Sequence, residues 1–326
     1  LKRYRFIIIG LTIMFSAVAL VPVVAFPWKE TFSWTKYAMI YQPNVFVVNT
    51  TADEVDVNPA DGICVTISGK CSLRAAVEEA NQRGGDRAMI TIELPAGTYT
   101  LSMLGSTNYQ THLVFDRNNG GWVTLHGQGA ANTIIQGDGS AGVIRINHWV
   151  IFDGVTIQNG NSNAAGGGIN IARYSDLTVK NSVIRNNRSV NAGGGIYKDI
   201  WAYLTLTDST ISGNQAEFGG GLAILDGVAR IETSTISGNT AIQGGGFYVD
   251  LPTGDFLVIG HSTISGNIAQ KGGGLYIQYL IDSLLLNVTI ANNTASVSGG
   301  GVEMNTVTTD PNGGFFPFKN TILGQS

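Results

Sequence analysis

The chain has 326 residues, enough for one large domain or two smaller ones, with 19 Lys and Arg against 23 Asp and Glu and a formal net charge of −4. Only 13% of residues are charged and 43 are glycine, so the surface is expected to be neutral and rich in hydroxyls and amides. That balance lacks the basic patch of a nucleic-acid binder, and no nucleic-acid partner is expected.

Residues 1–25 read as an export signal: Lys2, Arg3 and Arg5, then an apolar run over 6–25, with a small residue after Val23-Val24. Cleavage near Ala25 removes three positive charges and no acids, taking the net charge from −4 to −7. A retained anchor is the alternative, since about twenty apolar residues can span a bilayer. Leu1 in place of Met points to an alternative start codon or a clipped end. Residues 26–44, with Trp28, Trp34, Tyr37 and Tyr41 at no clear period, read as a connector.

Residues 45–49 read as a strand, and an acidic turn follows over 53–62. The oxygens of Asp56, Asn58 and Asp61 there could hold calcium, but the spacing departs from an EF-hand loop. The competing reading is a solvated Asp/Asn/Gly/Pro turn. The only two cysteines, Cys64 and Cys71, are a close, even pair that reads as a disulfide in an exported chain. Ser72 is placed as the N-cap of a helix over 73–81, with Leu73, Ala76, Val77 and Ala80 on one face.

Taken together, Asp61-Gly62-x-Cys64, Cys71-Ser72-Leu73-Arg74-Ala75-Ala76 and Glu79-Ala80-Asn81 resemble the CSLREA-type domain of bacterial surface proteins. The resemblance implies that residues 45–84 are an N-terminal cap preceding a right-handed parallel β-helix. The chain departs from that pattern at Ala75, where the family name carries Glu. Further on, Pro95-Ala96-Gly97-Thr98-Tyr99, Thr133-Ile134-Ile135-Gln136-Gly137 and the Thr-Ile-Ser-Gly-Asn repeats are similar to the same group. They also resemble polymorphic outer-membrane protein repeats.

Between 85 and 150 the strands are irregular: Ile90, Ile92 and Leu94 alternate with Thr91 and Glu93, and 123–125 and 144–146 are further strands. The run Gly137-Asp138-Gly139-Ser140-Ala141-Gly142 matches a dinucleotide fingerprint in letters only, because strand rather than helix follows it. It reads as a corner.

From about 150 the chain repeats one phrase, plainest at Thr210-Ile211-Ser212-Gly213-Asn214-Gln215-Ala216-Glu217-Phe218-Gly219-Gly220-Gly221. Close copies stand at 235–246 and 263–274, copies with one extra residue at 183–195 and 289–301, and a looser one at 156–168. Triple glycines begin at 166, 193, 219, 244, 272 and 299, a period of 25 to 28 residues. Stacking the copies gives apolar columns: Ile157, Ile184, Ile211, Ile236, Ile264 and Ile290; Phe152, Val179, Leu206, Ile231, Ile259 and Leu285; and the residues that follow the glycines. Polar neighbours alternate with these, as on strands with one buried face. Three short strands per repeat describe an all-β parallel β-helix, and six coils about 4.8 Å apart make a rod on the order of 30 Å. Asn187, Asn214, Asn239, Asn267 and Asn293 form a column suited to an amide ladder. The chain stops at Asn320-Thr321-Ile322-Leu323, which reads as the opening of another coil, so the solenoid over 85–326 is expected to be truncated.

From each isoleucine to the residue after the glycines the spacing is 11 or 12, so length variation concentrates on the opposite edge, where solenoids carry binding sites. That edge holds Asp176, Asp199, Asp226, Asp250, Asp255, Asp282 and Asp310, with Tyr174, Tyr197, Trp201, Tyr203, Tyr248, Tyr276 and Tyr279. Aromatic faces beside carboxylates suit sugar rings and hydroxyls; the competing reading is turn acids and stacking between coils. The bases Arg173, Lys198 and Arg230 are isolated there, and His261 falls in a polar corner column. The expected function is an exported bacterial protein of the cell surface or outer membrane, a non-catalytic adhesin or carbohydrate-binding stalk. Its partner would be an extracellular polysaccharide or a cell-surface protein, with membrane contact only through the signal or a C-terminal anchor. The alternative is a calcium-assisted, pectate-lyase-like polysaccharide lyase or a glycoside hydrolase, with calcium the one cofactor in question.

Overall fold

The computed structural model describes residues 44–83, 89–105, 110–116, 121–252, 256–279, 282–305 and 318–324. The expected signal lies outside the described residues, as does all of the connector except Asn44. No helix among the described residues is long and apolar enough to cross a membrane.

One coil shows how the repeat works. Strand Trp149–Asp153 turns Val150 and Phe152 inward, and Gly154 bends the chain with a φ of 69°. Thr156–Gln158 turns Ile157 inward, and Asn159 bends the chain again. After the glycines Ile169–Ile171 supplies Ile169 and Ile171, and Tyr174 returns the chain to Asp176, in register with Trp149. Repeating this path gives a parallel β-solenoid of about seven turns around one continuous apolar core, as the periodicity predicts.

Three parallel sheets line the solenoid. The first has ten strands, from Asn44–Val47 through Ile90–Leu94, Trp149–Asp153, Asp176–Lys180 and Tyr203–Thr207 to Phe318–Lys319. The second has nine, including Gly97–Leu101, Thr133–Gly137 and Thr210–Ser212, and the third has eight, from Thr111–Phe115 to Val302–Met304. The Gly137-to-Gly142 run is the expected corner, joining Thr133–Gly137 to Gly142–Ile146.

Polar ladders hold the corners. Each of Asn187, Asn214, Asn239 and Asn267 donates its side-chain Nδ2 to the Oδ1 of the next asparagine at 2.9–3.0 Å. The same Nδ2 atoms also reach a backbone carbonyl one coil back, such as Ile211 O from Asn239 at 3.0 Å. All five asparagines are buried. A second ladder, of serine, was not expected: Ser182, Ser209 and Ser234 each donate a backbone N–H to the hydroxyl of Ser209, Ser234 and Ser262 in turn, at 3.1–3.2 Å. Between sheets one and two, Asn181, Asp208, Thr233, His261 and Asn287 all take positive φ, so His261 is the corner residue it was expected to be. Thr233 is the costly member, because a β-branched residue rarely adopts that conformation. Its hydroxyl donates to Asp208 Oδ1 at 2.7 Å.

The N-terminal end of the rod is closed by residues 53–83. Cys64 and Cys71 form a disulfide, and Ser72 caps helix α1 (Leu73–Gln82) by accepting the Ala75 N–H at 3.0 Å. Arg74 is buried; it pairs with Asp53 at 2.7 Å and donates to His112 O and Met103 O, both at 2.8 Å. Asn81 donates to Val114 O at 2.8 Å and accepts from Asp116 N at 3.0 Å. His112 and Val114 lie on Thr111–Phe115, the edge strand of sheet three, so helix side chains take the groups that a further strand would take. The cap is continuous with the coils, because Asn44–Val47 pairs in parallel with Ile90–Leu94.

The glycine column yields a test. A Cβ at Gly245 would stand 2.5 Å from Gly273 O and 2.7 Å from Ile268 O, backbone atoms of the next coil that cannot yield. A Cβ at Gly238 would meet nothing closer than Gly213 N at 4.0 Å, although its φ is 64°. Gly238→Ala is expected to cost about 1 kcal/mol, the strain of a left-handed residue alone. Gly245→Ala is expected to abolish the cooperative urea transition or shift it by several-fold more. Equal shifts for the two variants would refute a packing origin for the glycine column.

Candidate functional site

The edge between sheets three and one carries the site. Trp149, Asp176 and Tyr203 are register partners at the start of successive sheet-one strands, and Trp122 stands one coil before them. Tyr174 and Trp201 precede Asp176 and Tyr203 by two residues, and both take positive φ, which throws their rings outward. Their rings stack 5.2 Å apart at 21°, and Trp122 and Trp149 lie 5.7 Å apart at 38°. These six residues line a groove of about 520 Å³. Trp149, Trp201 and Tyr203 are 41%, 45% and 53% exposed and Tyr174 is 69% exposed, a concentration of accessible ring surface on one edge. Arg173 places its guanidinium 5.4 Å from the centre of the Trp201 ring.

Burial among these rings raises the pKa of Asp176. Among the described residues no donor reaches its carboxylate. The groove therefore offers flat apolar faces and one poorly solvated acceptor, the combination that takes the C–H face of a ring while reading one polar substituent.

The other edge residues are placed elsewhere. Asp199 uses Oδ1 to accept the Ile200 N–H at 2.8 Å, a local turn. Tyr197 and Tyr248 face outward from sheet three, and burial pushes both phenols up to about 12, aided by the nearby Asp199 and Asp250 carboxylates respectively. Tyr248 stacks on Tyr276 at 5.7 Å and 7°. Asp226 and Asp250 are neighbours one coil apart, with Asp226 N donating to Asp250 O at 2.8 Å; burial first, and then Asp226, raises Asp250. Tyr279 ends its strand partly buried, Asp282 opens the last long sheet-one strand, and Asp255 and Asp310 lie outside the described residues.

Lys198 was expected among the edge bases and is instead inside. It lies in register with Ile171 and Ile224 and is fully buried, donating to Leu225 O at 3.3 Å and to Asp226 O. In the acidic turn, Asp56 accepts from Asn58 N and Val65 N at 2.9 Å each, and Asp61 accepts from Ile63 N and Asn58 Nδ2 at 2.8 and 3.1 Å. These oxygens are engaged by N–H donors, which is how Asx turns are built. Among the described residues no three His, Cys, Asp or Glu side chains converge as cation ligands.

Of the edge residues singled out from sequence, Tyr174, Asp176, Trp201 and Tyr203 meet in the groove. Trp122 and Trp149 were missed. Their signal was present one residue ahead of the apolar pattern at 123 and 150, the same place that Asp176 holds ahead of Leu177.

Asp176 gives a pH test. Its raised pKa means the folded chain holds a proton that the unfolded chain releases, so the native state is penalised above the ordinary carboxylate range and unpenalised below it. Asp176→Asn should therefore raise Tm at pH 7, with the gain fading below about pH 4. Thermal melts from pH 3 to 7 read this directly, and a pH-independent difference would refute it.

Comparison of the chain with protein-family models, with curated proteins and with solved structures finds no match.

Proposed function

We propose that the protein is an exported, cell-surface β-helix of bacterial type that binds an extracellular polysaccharide without cleaving it. The carrying observation is the groove lined by Trp122, Trp149, Tyr174, Trp201 and Tyr203 around Asp176. Accessible aromatic rings repeated coil by coil along the rod suit consecutive sugar units of a chain, and a rigid solenoid holds them in place at little entropic cost. The Cys64–Cys71 disulfide supports export, since such bonds persist in oxidising compartments.

A glycoside hydrolase is the second reading, favoured by the neighbouring Asp226 and Asp250, of which Asp250 is biased towards its protonated form. A calcium-assisted lyase is the third. One experiment separates all three: the chain is incubated with acidic and neutral polysaccharides, with calcium or with chelator. Retention without cleavage supports the binding stalk. Unsaturated product that vanishes with chelator replaces it with the lyase, and new reducing ends lost in Asp250→Asn replace it with the hydrolase. On a retained glycan, Trp201→Ala should weaken binding by roughly tenfold, the scale of one stacked aromatic contact.

A further inference from the structure

Asp176 is the one carboxylate in the groove, and it lies between two aromatic register partners, Trp149 and Tyr203. Trp122, Tyr174 and Trp201 complete the lining. The Asp176 carboxylate and the ring faces left open around it present negative potential to an occupant; Tyr174 and Trp201 stack on each other, and Arg173 covers part of Trp201. Among the described residues no cation pairs with the carboxylate. Arg173 lies over Trp201 and beside Tyr197, and burial alone accounts for the perturbation of Asp176.

An occupant bearing only hydroxyls would strip more water from that carboxylate and return one or two neutral hydrogen bonds. Deepening the burial of a charge without pairing it is costly. An ammonium group instead neutralises the carboxylate, offers three N–H donors and gains from the surrounding ring faces. The rings alone would equally suit a neutral sugar. The half-buried acid without a donor among the described residues is what distinguishes a cationic occupant.

We propose that the groove selects a glycan bearing free amines, an amino-sugar polymer, with one ammonium seated on Asp176 and the flanking sugar faces on Trp149 and Tyr203. This rests on the glycan-binding reading above and narrows it to a ligand class. From Trp122 to Tyr203 the column spans three coil steps, about 14 Å, so a tetrasaccharide probe is long enough to fill it.

The test is calorimetric titration of the whole chain at pH 6 with three β-1,4-linked tetrasaccharides: the glucosamine tetramer, its N-acetylated counterpart and the all-hydroxyl glucose tetramer. The amine form should bind roughly tenfold more tightly than the other two. Asp176→Asn should reduce the amine tetramer to the affinity of the hydroxyl tetramer, whereas Trp201→Ala should weaken all three alike. Equal affinities for the three sugars in the unaltered chain would overturn this inference and leave the glycan-binding reading standing. Binding of none would overturn both. Tetralysine binding as tightly as the amine tetramer would overturn it too, by showing that charge without a sugar suffices. An amine preference that survives in Asp176→Asn would remove Asp176 from the site.

Discussion

The constraint on which the rest depends is the close approach of backbones at the glycine corner. Gly168, Gly195, Gly221, Gly246 and Gly274 lie so near the next coil that a Cβ would stand 2.4–2.6 Å from the following glycine carbonyl. The same Cβ would also meet the amide of the asparagine ladder, at 2.8–3.2 Å. Glycine and asparagine therefore occupy one volume jointly. The side chain that glycine lacks leaves the space into which a buried amide reaches to satisfy a carbonyl one coil back and the Oδ1 one coil on. Neither column is stable alone: without the amides the corner carbonyls lose donors, and without the glycines the amides have no room.

A corner locked this tightly absorbs no more than the one-residue difference seen before its glycines, and the short serine-laddered corner between sheets one and two keeps a constant length. Variation in coil length passes to the third edge, where Tyr174 and Trp201 sit in left-handed turns. Such turns point side chains away from the core, so large aromatics there stay exposed. The groove is a consequence of where the fold tolerates change. Its floor is rigid because each strand beneath it is hydrogen-bonded on both sides, which is the condition under which a flat binding surface keeps its spacing.

The repeat itself was legible because a period-two apolar pattern, an invariant glycine run and an Asn column recur at fixed offsets, and each has only one arrangement that stacks. The corner column of Asn181, Asp208, Thr233, His261 and Asn287 was legible for the same reason. Three features were not. Trp122 belongs to a coil that lacks the glycine phrase, so nothing aligned it with Asp176 and Tyr203 until the sheet-one register was known. Trp149 stands three residues before Phe152, as Asp176 does before Val179, and was missed because the edge was read only after the glycines. Arg74 falls outside the apolar face Leu73, Ala76, Val77 and Ala80, yet it is buried because an open solenoid end must find donors for its last carbonyls. Lys198 occupies an inward position that is Ile171, Ile224, Val249 and Ile277 in neighbouring coils, and alternation alone would have placed an aliphatic residue there.

Lys198 also explains where the groove ends. In the following coil the edge shrinks to Asp226 and Gly227, so the chain reverses between Leu225 and Val228 with no loop to satisfy its own carbonyls. The ammonium of Lys198 reaches up from the core to accept that duty, bonding Leu225 O and Asp226 O. A Cβ at residue 227 would stand 2.8 Å from its Nζ, so glycine is needed there as well. With the loop gone there is no outward turn to carry a ring, and the column that runs Trp149, Asp176, Tyr203 continues as Val228. Phe256 restores an exposed ring only one coil later. A buried lysine is an expensive way to close a turn. Its presence follows from a shortened edge that bounds the aromatic groove at Tyr203, which makes the length of the binding surface a property of the core as much as of the edge.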